Sequence, residues 1–304
     1  MILWDRIREN PKLLLRTLGD PALIGLGCNR MYYEYTRNHQ YNAQGTDVFE
    51  DEDWDNLIVL DACRADIYAE MTPFGGTPEV RESRGSASKQ FVRGNFQDKT
   101  LHDVVYISGN RWYLQLQDEL NCELHAYHDV ERDVADGFVP SPEAVTRAVL
   151  ELKDEYPNKR LLVHYMQPHY PYLNATNGAF ELDKTGLRET VRASDVDYAD
   201  VREAYRENLR YVLEHVQTLV EELDGKTVIS SDHGEMLGDR LTPFPVRWVG
   251  HPPGIFTDKL TTVPWHVVSN GPRRKITAEP PVENADEVDM AEVEQNLKDL
   301  GYKV

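Results

Sequence analysis

Asp232-His233-Gly234-Glu235 sets a carboxylate and an imidazole on consecutive residues, just beyond the strand-like run Thr227-Val228-Ile229-Ser230. Carboxylate oxygens and imidazole nitrogens are ordinary ligands of a divalent cation, and an adjacent pair at the mouth of a sheet can offer both to one ion. The same four letters can also make only a turn, with Asp capping and Gly taking a left-handed conformation. Asp61 follows the run Leu57-Ile58-Val59-Leu60 and is either a third ligand or the cap of the helix after it. Hydroxyls come from the Ser/Gly run Ser83-Arg84-Gly85-Ser86-Ala87-Ser88, whose plainer reading is a flexible loop. A serine hydroxyl is a poor nucleophile near neutral pH and becomes useful when a cation lowers its pKa. His164 lies inside an apolar stretch and reads as a core histidine. His169 and His251 lie in Pro-rich segments where they either turn the chain or face a ligand.

These groups are far apart in sequence, so a fold must assemble them. The apolar runs at 57–60, 104–108, 161–165 and 227–230 read as buried strands. Helical patterns at 64–70, 111–120 and 141–156, and a long one over 196–223, alternate with them; in the last, Val201, Tyr205, Leu209, Val212, Val216 and Leu219 share one face. Residues 262–268 read as a last or edge strand, and 241–249 as a substrate-shaping loop or a rigid turn. This alternation implies an α/β fold, a mostly parallel central sheet with helices on both faces, whose ligands sit beyond the C-terminal strand ends. Three parts are expected: a helical, Tyr-rich lead-in over 1–50, a catalytic body over 51–270, and a loop with a C-terminal helix over 271–304.

Composition narrows the function. The 304 residues carry 52 Asp+Glu against 33 Lys+Arg, a net charge of −19, which disfavours nucleic acid and anionic membrane surfaces as partners. An anionic substrate would then need a local positive centre. The acidic excess, with Arg outnumbering Lys, suggests salt adaptation. Cys28, Cys63 and Cys122 form no CxxC pattern or disulfide framework, and no apolar run is long enough to span a membrane. Both features lead to the expectation of a cytoplasmic protein without an integral membrane segment. Oligomeric state is not legible.

Taken together, the run Leu57–Asp66, the segment Ser230-Ser231-Asp232-His233-Gly234-Glu235-Met236-Leu237-Gly238, the helix preceding it and the tail Asn296-Leu297-Lys298-Asp299-Leu300-Gly301-Tyr302 resemble the alkaline phosphatase/sulfatase superfamily. The resemblance runs from about residue 55 to the C-terminus with a gap near 271–290, and the DHGE segment is its most specific part. It implies an alkaline phosphatase-like fold and a metal-dependent hydrolase or transferase. Asp61, Asp232 and His233 would hold the metal, and a nucleophile would open a helix, at Ser88 or, in the rival register, Ser86. The stretch His164-Tyr165-Met166-Gln167-Pro168-His169-Tyr170-Pro171-Tyr172 resembles the segment whose second histidine contacts substrate. His169 is therefore assigned to substrate binding or leaving-group protonation, and His251, in Gly250-His251-Pro252-Pro253-Gly254, which is similar to the family's GHG segment, is a candidate general acid or phosphate ligand. Arg64 is a candidate substrate contact or a structural ion pair.

The sulfatase C/S-x-P-x-R motif is absent, because Ser88 is followed by Lys89-Gln90-Phe91-Val92. A serine attacking a phosphate ester is thus preferred over a sulfatase with an atypical nucleophile, or a catalytically silent sulfatase-like binding protein. The Asp/His/Ser donor set suits one divalent ion, Zn²⁺ or Mn²⁺ ahead of Ca²⁺ or Mg²⁺. Asp183, Asp195, Asp197 and Asp200 offer no Asp-x-x-x-His spacing for a second ion. The substrate class is a small-molecule, glycan or lipid ester.

Overall fold

The computed structural model describes residues 20–37, 40–134, 138–175, 180, 186–282 and 289–300. Residues 1–19, 38 and 39 of the expected lead-in, and residues 283–288 and 301–304 of the expected C-terminal segment, lie outside the described residues. A seven-stranded sheet forms the centre, in the order β2 (Glu79–Glu82), β9 (Thr262–Asn270), β6 (Lys226–Ser230), β1 (Asn56–Leu60), β5 (Arg160–Tyr165), β3 (Thr100–Ser108), β4 (Glu123–Asp129). The pairs β6–β1, β1–β5, β5–β3 and β3–β4 are parallel, while β9 runs antiparallel to both β6 and β2.

All five residues of β1 are buried, as a strand covered on both faces requires. Ile58 and Leu60 join a core cluster with α2 (Ala65–Met71), α5 (Pro142–Leu152) and α7 (Tyr198–Glu222). Leu57 and Val59 join a second cluster on the opposite face with α3 (Ser88–Phe96), α4 (Trp112–Leu120) and α9 (Met290–Asp299). The period-two alternation of a strand thus divides one sequence run between two helical layers. The long helix α7 starts in a capping box between Asp197 and Asp200 and buries the expected face from Val201 to Leu219. Ser141 caps α5, its Oγ accepting from Ala144 N at 3.1 Å.

A third cluster joins α1 (Pro21–Thr36), through Leu26 and Tyr33, to the hairpin β7 (Met236–Arg240)–β8 (Arg247–Gly250), through Met236 and Trp248. The region read as a loop or turn over 241–249 is thus partly strand. Likewise β9 is not the edge: β2 pairs with it outside. No helix among the described residues is long and apolar enough to cross a membrane.

Candidate active site

Strand order builds the site. Because β6, β1, β5 and β3 are parallel neighbours, the residues just beyond their C-terminal ends emerge side by side: Asp232, Asp61, the 167–169 segment and Asn110. Val59 pairs with Ser230 on one side and with His164 on the other. This register brings the acids of two distant motifs together and sets His164 beside them. After Asp61 the chain turns sharply through Ala62, at φ 59. Tyr205 from α7 holds that turn, donating from Oη to Ala62 O at 2.9 Å and accepting from Arg64 N at 2.8 Å.

Asp61, Asp232 and His233 are fully buried. Asp61 Oδ2 accepts from Asn110 Nδ2 at 2.8 Å, and Asp232 Oδ1 accepts from the backbone of Ala62 at 3.0 Å and of His233 at 2.8 Å. Their other oxygens, Asp61 Oδ1 and Asp232 Oδ2, accept no hydrogen bond from any described residue. His233 Nδ1 donates to Gly234 O at 2.8 Å, which leaves Nε2 with its lone pair 3.5 Å from Asp61 Oδ1 and 3.4 Å from Asp232 Oδ2. Fixing one ring nitrogen on a carbonyl while the other faces ligand oxygens is how metal-binding imidazoles are oriented. Ser88 Oγ, at the start of α3, lies 3.3 Å from His233 Nε2 and 3.4 Å from Asp61 Oδ2. The loop before it folds back over the helix start: a Cβ on Gly85 would sit 2.5 Å from Phe91 N. Ser83 Oγ ties the same loop to the Asp232 carbonyl.

The electrostatics of this cluster ask for a cation. Burial, then the charge of Asp232, pushes the Asp61 carboxyl well above the usual range. Burial also opposes ionisation of Asp232, but the facing His233 and His164 outweigh it and bring that carboxyl below its usual value. Each buried polar atom left without a partner costs about 1–3 kcal/mol. A divalent ion between Asp61 Oδ1 and Asp232 Oδ2 would satisfy both atoms and cancel both charges, so the residues present fit a metal.

A second trio surrounds the first. A ligand atom from each of His169, Glu235 and His251 lies within 4.8 Å of the others. His251 Nδ1 is 3.2 Å from Glu235 Oε2, and the His251 ring packs against those of His233 and His169, at centroid distances of 4.4 and 4.9 Å. Burial pushes His251 down to about 4 and His169 down to about 3, so both rings are neutral at neutral pH. Burial raises Glu235 to about 7.

The structure therefore brings together Asp61, Asp232, His233 and Ser88, with His169 and His251 alongside. Ser86 is employed elsewhere: its Oγ donates to Gln90 Oε1 at 2.8 Å and accepts from Gly254 N at 3.0 Å, pinning the loop at 252–254. Of the two readings of Arg64, the geometry matches the structural ion pair. Its guanidinium grips Asp66 at 2.9 and 2.6 Å and Asp239 at 2.5 Å, and its side chain is 5% exposed. Asn110, Glu235 and His164 are the residues sequence reading left out. Asn110 follows a strand end and Glu235 belongs to the quoted DHGE segment, so both carried a signal; His164 opens the quoted 164–172 stretch, but its apolar surroundings read as core.

No family model matches the chain, and no curated protein matches its sequence. Among solved structures it is similar to the soluble domain of lipooligosaccharide phosphoethanolamine transferase A from Neisseria meningitidis, at 14% identity and a TM-score of 0.45, over 69% of this chain and 75% of that one. It is also similar to the C-terminal periplasmic domain of EcEptC from Escherichia coli in complex with Zn, at 13% identity and 0.44, over 73% and 74%. Phosphonate monoester hydrolase SpPMH from Silicibacter pomeroyi matches at 16% and 0.36, over 81% and 72%. All three are alkaline phosphatase/sulfatase superfamily structures, the superfamily the motifs resemble, and the likeness is one of fold. The same comparison corrects the cytoplasmic expectation, since the E. coli structure is a periplasmic domain. Three free cysteines show only that no cross-link holds the fold, which is compatible with either side of a membrane.

Proposed function

We propose that this chain is a metal-dependent hydrolase or transferase of phosphate esters that works through Ser88. The observation that carries this reading is the convergence of two buried carboxylate oxygens without hydrogen bonds, Asp61 Oδ1 and Asp232 Oδ2, on His233 Nε2, with the Ser88 hydroxyl at the same point. Asp61, Asp232, His233 and Ser88 would hold the ion, and a mixed oxygen and imidazole set favours Zn²⁺ or Mn²⁺ over Ca²⁺ or Mg²⁺. When bound, the cation lowers the pKa of the serine hydroxyl and offsets negative charge on the substrate.

The remaining work falls to the chain. Ser88 Oγ, its proton released to solvent, attacks phosphorus, forming an Oγ–P bond as the bond to the leaving oxygen breaks. Gln90 N and Phe91 N donate to Ala87 O, so it falls to the N–H groups of Ser88 and Lys89, at the start of α3, to face the non-bridging oxygens. The His169–Glu235–His251 trio lies beside this point, and Glu235, titrating near neutrality, supplies through His251 the proton that the leaving oxygen takes up. Attack by water, or by a second alcohol, then breaks the Oγ–P bond and returns Ser88. The missing C-x-P-x-R pattern supports a phosphate over a sulfate ester.

Release of phosphate and of sulfate from the matching aryl esters, with added Zn²⁺ or Mn²⁺, tests the reading. Wild-type protein should release phosphate, Ser88→Ala should lose on the order of 10³-fold or more, and Ser86→Ala should stay within about tenfold of wild type if it acts only on packing. Full turnover by Ser88→Ala, or release of sulfate without phosphate, would overturn it.

A further inference from the structure

We propose that His164 is a second imidazole ligand of the Ser88-site cation, set in place by Tyr106. The inference rests on the metal-dependent reading above and extends it to a residue that the sequence marks as core.

His164 sits in β5 and is fully buried, yet its Nε2 has no hydrogen-bond partner among the described residues. That nitrogen is 3.8 Å from Asp232 Oδ2, and ligand atoms of Asp61, His164 and Asp232 all lie within 4.8 Å of one another. Three polar atoms thus share one buried point without hydrogen bonds: Asp61 Oδ1, Asp232 Oδ2 and His164 Nε2. Metal bonds of about 2.0–2.2 Å at tetrahedral angles put two ligands of one ion about 3.3–3.6 Å apart, so the 3.8 Å between His164 Nε2 and Asp232 Oδ2 needs to close by only a few tenths of an ångström, and the widest pair of the trio by little more than about 1 Å. A histidine serving only to fill space would have little reason to present a bare ring nitrogen to two carboxylates.

The other ring nitrogen has the partner a ligand needs. His164 Nδ1 lies 2.8 Å from Tyr106 Oη, and the Tyr106 ring stacks beside the imidazole at 6.2 Å with an interplanar angle of 16°. With Nδ1–H donating to Tyr106, the Nε2 lone pair points at the carboxylates, the same device by which Gly234 orients His233. Phe91, three residues after Ser88 on α3, packs its ring edge-on to His164 at 6.4 Å. The imidazole is thereby braced by the helix that carries the nucleophile. Two neutral imidazoles, two carboxylates and a divalent ion make a shell of zero net charge, which a fully buried site requires.

The test loads full-length, ¹⁵N-histidine-labelled protein with one equivalent of ¹¹³Cd²⁺ and looks for ¹¹³Cd splitting of imidazole Nε2 resonances. His164→Gln and His233→Gln serve for assignment, and Zn²⁺ affinity is measured by chelator competition. The expected result is splitting at both His164 and His233. Zn²⁺ affinity should fall at least tenfold in His164→Gln and to a smaller degree in Tyr106→Phe, which keeps the ring and removes its partner. If His164→Gln does not fold, the number of split Nε2 resonances in wild type decides, and a second signal that shifts in Tyr106→Phe belongs to His164. Splitting at His233 alone, or unchanged affinity in a folded His164→Gln, overturns the role of His164 and leaves the cation site standing. Absence of any splitting, with Asp232→Ala matching wild-type affinity, overturns both.

Discussion

Replacing Asp61 by Asn should make the metal-free protein more stable while abolishing its response to metal. In the absence of a cation, two fully buried carboxyls sit within about 5 Å of each other, and at an effective dielectric near 20 two unit charges at that distance repel by about 3 kcal/mol. Part of this is avoided because burial and Asp232 keep Asp61 protonated well above the usual range, so the realised gain is smaller, about 1–3 kcal/mol. The amide fits the existing contacts. Its oxygen can keep the 2.8 Å bond from Asn110, and its NH₂ takes the place of Oδ1, 3.5 Å from His233 Nε2, where a donor meets a lone pair. Calorimetry in excess chelator should show Asp61→Asn melting several degrees above wild type, at roughly 2–4 °C per kcal/mol. With Zn²⁺ at about 100 times its dissociation constant, wild type should gain about 2.7 kcal/mol and the variant nothing comparable. A variant less stable than wild type in chelator, or equally stabilised by Zn²⁺, would refute the reasoning.

Tyr205→Phe strips a donor from Ala62 O and an acceptor from Arg64 N at the turn that aims Asp61, so it should cost about 1–3 kcal/mol and weaken metal binding; a chemical melt and a Zn²⁺ titration check it. At Asp66, burial acts to raise the carboxyl, but hydrogen bonds from Arg64 and Lys259 outweigh it and hold the group far below its usual value. A depressed carboxylate contributes stability that is fully present above its unfolded pKa of about 4 and is lost as pH falls through the folded one. Asp66→Asn should therefore flatten the decline in stability below about pH 4, and an acid-unfolding curve parallel to wild type would contradict this.

The parts of the fold that the sequence exposes are those where one short run must satisfy two buried faces. Leu57–Leu60 is apolar throughout and ends abruptly in Asp61, and the short β-branched run Thr227-Val228-Ile229 is followed within three residues by Asp232, so strand, parallel pairing and ligand-bearing end are legible at once. The strand β2, Glu-Val-Arg-Glu, is polar and largely open to solvent; it becomes a strand only because β9 offers an edge to pair with. The hairpin β7–β8 is interrupted by prolines that read as a turn, and it is held by the apolar side chains of α1 and its neighbours rather than by its own pattern. The same division holds in the site. Asp61, Asp232 and His233 sit at strand ends, a position with a sequence signal. His164 looks like one more buried residue until strand order lays β5 beside β1 and its Nε2 faces the carboxylates. His169, Glu235 and His251 each lie in a segment with a sequence signal, but they come from three loops, so only the fold shows that they meet. Arg64 stayed open between substrate and ion pair because its two partners come from separate elements, Asp66 on α2 and Asp239 on β7, and only the fold brings the second one to it.

Metal content tests the central claim most directly. Untagged wild-type protein and Asp232→Ala, dialysed side by side and analysed by inductively coupled plasma mass spectrometry, should differ by one equivalent of Zn or Mn per chain, present in wild type and missing from the variant. Wild-type protein without stoichiometric metal, or an Asp232→Ala variant that holds as much, would contradict the account.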